Sequence, residues 1–355
     1  MKYRLFLIIA TFAVLGSTIT SCSWDDELRV ATNDGDQTTP ISFNVNFGSI
    51  PDPEVSSITG DSGESSTTRG AAGQNGKKYQ FDDGDLIKIA VKAPASPTHP
   101  TSRLTSEDVK TYKVESSVLS QDETYYISTL EYDGALKDAF QWLSRSEEVL
   151  IRAWSSGNTT SPTDPRTYVT ATPFVLTTNQ SSGYNEVLYS PEDSYSFGSD
   201  GSVSIPLYHQ LARVMITVSE DGGSTSSKTV TIGDGTMLLP KTATFADPDP
   251  ASNHFGTWTV ANDNAEKVTI TPFVESENIK FSAVLIPKTY AAGGNFINIK
   301  IGDTETFHYV IPDGGITLEA GKQYNFDIKV KNRAITFTVS VTAWASETRP
   351  IDFTE

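Results

Sequence analysis

The sequence predicts an all-β protein built as two antiparallel β-sandwiches in tandem. Three observations carry this. Short segments alternate apolar and polar residues with a period of two, clusters of Ser, Thr, Gly, Asn, Asp and Pro separate them, and 355 residues exceed one ordinary core and suit two. Long amphipathic helices do not alternate with these segments, which argues against crossover units with a parallel sheet.

At the N-terminus, a short cationic stretch with Lys2 and Arg4 precedes an almost purely apolar run over residues 5–15, the pattern of a secretory signal that is removed on export. Ile19-Thr20-Ser21-Cys22 then resembles a bacterial lipobox, in which the cysteine is acylated and becomes the new N-terminus. Cys22 is the only cysteine of the chain, so residues 1–21 read as a lipoprotein signal peptide and Cys22 as the lipidation site. Each buried acyl CH₂ adds about 0.8 kcal/mol of membrane affinity, enough in sum to anchor the exported chain to the outer membrane. Residues 22–40 form an acidic linker. Its Asp25, Asp26 and Glu27 read either as a solvated run or as a stretch resembling the cell-surface sorting signal of Bacteroidetes lipoproteins.

The first strand is expected at 41–47, where Ile41, Phe43, Val45 and Phe47 point one way and Ser42, Asn44 and Asn46 the other. Comparable segments follow at 86–91, 149–154, 203–207, 213–218, 267–271, 280–286, 296–301, 306–311, 324–330 and 335–341, with one short helix near 134–143. The polar cluster at 194–202 predicts a boundary between an N-terminal sandwich over 41–198 and a C-terminal one over 199–355. Between Phe47 and Tyr79 runs a polar stretch of about thirty residues, where compact domains use connections of about 4–6. Within it stands Thr67-Thr68-Arg69-Gly70. Arg69 is either an ordinary loop arginine or, in this small and polar setting, a site that a trypsin-like protease accommodates.

A net charge of −17 repels phosphate backbones and anionic lipid surfaces, which excludes nucleic acid as a partner. A single cysteine leaves no disulfide framework or thiolate metal site, and His99, His209, His254 and His308 lie in separate segments without metal-ligand spacing. His209 reads as a hydrogen-bonded residue at a strand start. Gly70, Gly76 and Lys77 miss the spacing of a phosphate loop, and Asp82-Asp83-Gly84-Asp85 lacks the later bidentate glutamate of a calcium loop. No carboxylate pair can be placed on one site. The chain therefore does not read as an enzyme, and no catalytic residue, metal or cofactor is expected. Trp142, Trp154, Trp258 and Trp344 read as core residues, with sugar stacking as the alternative.

Several signatures agree in order along the chain. They are Thr68-Arg69-Gly70, Phe81-Asp82-Asp83-Gly84-Asp85-Leu86-Ile87, Asn185-Glu186-Val187-Leu188-Tyr189-Ser190 and Leu207-Tyr208-His209-Gln210-Leu211-Ala212-Arg213-Val214. Ala283-Val284-Leu285-Ile286-Pro287-Lys288, Leu318-Glu319-Ala320-Gly321-Lys322-Gln323-Tyr324 and the 335–344 segment complete the series. Together they resemble the fimbrillin family of the Bacteroidetes, the subunits of type V pili. Lys288 stands where that family usually has Gln, and Ser190 where it has Ala.

The resemblance implies transthyretin-like sandwiches and a structural subunit of a cell-surface fimbria that contributes to adhesion. It implies assembly by donor-strand exchange, with other fimbrial subunits and an Arg-specific protease as partners. Strand addition of this kind is an established mode of pilin assembly. Cleavage between Arg69 and Gly70 makes the 41–47 strand a separate peptide, free to leave and expose an unpaired edge. Ile335, Phe337, Val339 and Val341 alternate with Thr336, Thr338, Ser340 and Thr342, with the same period and number of large apolar groups as the N-terminal strand. The 335–341 segment is thus either a donor strand or a permanent strand of the second sandwich, closed by Trp344. The alternative function is a non-polymerising surface lipoprotein or tip adhesin that binds a host glycan or host protein.

Overall fold

The computed structural model describes residues 39–47, 81–95, 103–120, 125–184, 186–220, 227–234, 237, 239–249, 254–260, 268–277, 279–302, 305–331 and 334–344. Almost all of its regular structure is β. Among the described residues, seven strands form a closed barrel: β1 (Ser42–Phe47), β2 (Leu86–Lys92), β3 (Asp108–Leu119), β4 (Tyr126–Tyr132), β5 (Glu148–Ser155), β6 (Leu188–Ser196) and β7 (Ser202–His209). Their order around the barrel is β7-β1-β4-β3-β2-β5-β6. Side chains from these strands fill the interior, where Phe43, Ile87, Ile89, Ile151, Ile205 and Leu207 meet.

The chain leaves the barrel at Gln210. A five-stranded sheet follows in the order β10-β11-β8-β14-β15, from β8 (Ala212–Glu220), β10 (Phe273–Ser276), β11 (Lys280–Leu285), β14 (Lys322–Lys331) and β15 (Ala334–Ala343). A three-stranded sheet of β9 (Lys228–Ile232), β12 (Asn295–Ile301) and β13 (Glu305–Val310) shares its core. Phe296 lies 5.7 Å from Phe326 and Tyr309 lies 5.1 Å from both Phe326 and Phe337, so aromatic rings join the two sheets. Short strands at Phe174–Val175, Thr242–Ala246 and Thr257–Thr259 form a smaller sheet, and Lys288–Tyr290 pairs with Ile316–Leu318.

The expected strands are present with four informative differences. First, β1 runs parallel to β7, and β8 parallel to β14. A parallel pair needs a long crossover, and the two members of each pair stand far apart in sequence, where local alternation carries no partner signal. Second, the helix expected near 134–143 is only a 3₁₀ turn at Leu136–Asp138. No side chain caps it, and Gln141–Trp142 then pairs with Thr39–Pro40. Third, β3 and β6 escape the period-two reading because bulges interrupt their ladders and Pro191, Glu192 and Asp193 sit within β6. Fourth, the 267–271 segment makes isolated bridges only, through Ile270 and Thr271. The expected 198/199 division falls in the loop between β6 and β7, which pair with each other in the barrel.

Candidate functional site

The N-terminal strand sits between β7 and β4. All of β1, residues 42–47, faces 202–207 in parallel, whereas on the other side only Asn44 and Val45 pair, with Thr129 and Ser128. The strand thus lies inside the sheet, paired on both sides, rather than at an edge. Ile41, Phe43, Val45 and Phe47 are all buried, and Ile41 N–H donates to Phe140 O at 2.9 Å. Phe43 meets Tyr112 edge-on at 5.1 Å. Tyr112 Oη accepts from Phe140 N–H at 3.0 Å, and burial pushes its phenol up to about 12. Just beside this wall, Trp142 Nε1 donates to Gly201 O at 2.8 Å. Gly201 holds φ at +71°, a conformation that side-chain-bearing residues rarely adopt.

Phe47 closes one end of the strand. Its ring stacks on Phe81 at 4.6 Å and on His209 at 5.1 Å. His209 ends β7 rather than starting a strand, and its Nδ1 lies 2.9 Å from Glu186 Oε2 without the alignment of a hydrogen bond. Asp85, near this pair, is pushed up to about 7, chiefly by burial. A bond from Asp82 N–H at 3.0 Å opposes that shift, and the charges of Asp82 and Glu186 add to it.

The second predicted strand lies elsewhere. β15 pairs along its length with β14 and ends the five-stranded sheet among the described residues. Ile335, Phe337 and Val341 pack on the second core only in part, and Val339 is exposed. Trp344 is buried and stacks on His209 at 3.9 Å. The two predicted strands are thus not neighbours in a sheet, yet their ends meet through one imidazole, a contact that sequence spacing does not reveal. Cys22, Arg69 and Gly70 lie outside the described residues.

Of the four tryptophans considered for sugar stacking, Trp142, Trp154 and Trp344 are buried. Trp258 lines an open groove of about 440 Å³ with Phe255, Lys288 and Glu319. Among the described residues, no helix is long and apolar enough to cross a membrane.

A closed barrel joined to a two-sheet core defines an all-β protein whose candidate elements are strands and buried aromatic rings. The chain belongs to the fimbrillin-like family, whose sequence model matches residues 68–344. No curated protein matches it by sequence. A Bacteroides uniformis structure described as a cell adhesion protein is similar at a TM-score of 0.54 and 13% identity, over 88% of this chain and 100% of that one. A second such structure, from Bacteroides ovatus, is similar at 0.51 and 14%, over 88% and 100%. At these identities the likeness is one of fold. Family membership supports a fimbrial structural or adhesive role that is exported, at the cell surface and non-enzymatic.

Proposed function

We propose that the chain is a structural subunit of a cell-surface fimbria, held in the outer membrane through Cys22 until proteolysis triggers donor-strand exchange. The observation that carries this reading is β1: a strand whose apolar face is buried, paired on both sides, that precedes a long polar segment containing Arg69. The family match begins at residue 68, after β1 and next to Arg69. Hydrolysis of the Arg69–Gly70 bond by an Arg-specific protease leaves β1 bound by packing and hydrogen bonds alone. Its four apolar side chains contribute roughly 6–12 kcal/mol gross, at about 1.5–3 kcal/mol each, an upper bound because the unfolded chain already hides some of that area. Their departure opens a slot between β7 and β4 with unpaired backbone on both walls. In this reading 335–341 of a neighbouring subunit refills the slot, with Ile335, Phe337, Val339 and Val341 in the places of Ile41, Phe43, Val45 and Phe47. The barrel then serves as acceptor body and the second core as donor body.

The test is intact mass of protein recovered from the cell surface, with and without an Arg-specific protease, beside a denaturing gel of unboiled sample. A species beginning at Gly70 with a heat-sensitive ladder is expected, and Arg69→Ala abolishes both. A single acylated species beginning at Cys22 without a ladder refutes polymerisation. It then favours a surface lipoprotein or tip adhesin binding a host glycan or protein, for which the Trp258 groove is the candidate surface.

A further inference from the structure

Three distant points of the chain converge on one imidazole. Phe47 ends β1, His209 ends β7, and Trp344 follows the last residue of β15. Phe81 and Phe47 stack at 4.6 Å and 12° from parallel, Phe47 and His209 at 5.1 Å and 5°, and His209 and Trp344 at 3.9 Å and 9°. All four rings are buried. A backbone relay follows the same route: Trp344 N–H donates to Gly321 O at 2.7 Å, and Gly321 N–H donates to Leu211 O at 3.0 Å, two residues past His209. The edge of the imidazole faces the buried carboxylate of Glu186.

We infer that His209 is a positioning residue that couples retention of β1 to docking of the C-terminal end of β15. The inference rests on the proposed release of β1 and states what that release does at the other end of the molecule. Offset stacking stabilises each ring pair beyond the area it buries, and the contribution is lost when one partner leaves. Without Phe47, His209 loses one stacked partner and the buried Glu186–His209 pair gains access to water. The imidazole is then free to turn toward solvent, and Trp344 loses the surface on which it rests. Coupling between sites is reciprocal, so loosening Trp344 also weakens the hold on Phe47. The coupling lies in the stacked rings, with the Glu186 carboxyl group facing the edge of the imidazole.

Hydrogen exchange of the full, uncleaved chain tests this. Phe47→Leu is expected to speed exchange of the Trp344 amide about tenfold, and Trp344→Leu to speed exchange of the Val45 amide. In a His209→Gln background, which keeps a polar group for Glu186 but removes the ring, neither substitution adds a further effect. In the Glu186→Gln/His209→Phe double variant, which restores a ring without the facing carboxyl group, the cross-effects return. Cross-effects that are absent in the native background, or that persist in His209→Gln, overturn the coupling. Should His209→Gln not fold, the native-background pair and the ring-restoring double variant decide it. The fimbrial ladder is scored on the same variants. A missing ladder in the native protein with cross-effects intact refutes strand exchange alone, whereas an intact ladder without cross-effects refutes the coupling alone.

Discussion

β1 and β15 carry the same alternation of four large apolar residues with small polar ones, yet the fold treats them differently. Phe43 and Val45 are each 1% exposed, while Val339 is 36% exposed. β1 lies between two neighbours and points its apolar face into a closed barrel; β15 has β14 on one side and closes its sheet among the described residues. Tyr309 covers the Phe337 ring from the facing sheet, whereas Val339 is left exposed among the described residues. Period two tells which residues share a face. How deeply that face is buried depends on what lies opposite, which is a property of the whole fold.

The strongest way to break the comparison is a buried charge. Val45→Asp should cost about 3–5 kcal/mol or prevent folding, since it buries a carboxylate among the apolar side chains of the barrel, whereas Val339→Asp should cost less than about 1 kcal/mol. Urea unfolding of the uncleaved chain measures both, and equal losses would show that β15 is as deeply committed as β1. If Val339→Asp folds and still forms a full ladder, 335–341 is not the donor. Truncation gives a finer measure: Phe43→Ala should cost about 3–5 kcal/mol and Phe337→Ala about 1–2 kcal/mol, in proportion to the area each removes from water.

The smallest effect sharpens the comparison through pH. Asp85 sits beside the β1 end of the stack, and its folded-state value of about 7 lies above the ordinary 3.8. Between those values the folded barrel holds a proton that the unfolded chain releases, so this group's contribution to stability is full below about pH 4 and falls as pH rises to about 7. Asp85→Asn should remove that slope and raise stability at pH 8 by about 1–3 kcal/mol, with little change near pH 4. Thermal unfolding across this range, with Val339→Asp as a control that leaves the slope unchanged, checks the assignment. Glu107 has the opposite sign. Bonds from Arg152, opposed by burial and reinforced by Arg166, hold it down to about 2, so its contribution is present above about 4.5 and is lost as pH falls toward 2.

Much of this architecture was legible in local chemistry. The 41–47, 86–91, 149–154, 203–207 and 213–218 segments show clean alternation or β-branched runs, and each corresponds to a strand. β3 was harder to read because its ladder shifts between Val114 and Ser116, so residues on either side of that bulge no longer share one phase. His209 was visible as part of a motif, and its place among Phe47, Trp344 and Glu186 was not. Those three residues lie in separate segments with no common spacing.

Sequence alone determined the strand-rich character, the apolar face of each strand and the fimbrillin-like identity, because alternation, turn chemistry and short motifs are written within a few neighbouring residues. Tertiary structure alone decided that β1 runs parallel to β7 inside a barrel, that β15 lies half-covered at a sheet end, and that one histidine touches the ends of both. Partner choice depends on how distant surfaces pack together, and no local period encodes which surface will be opposite.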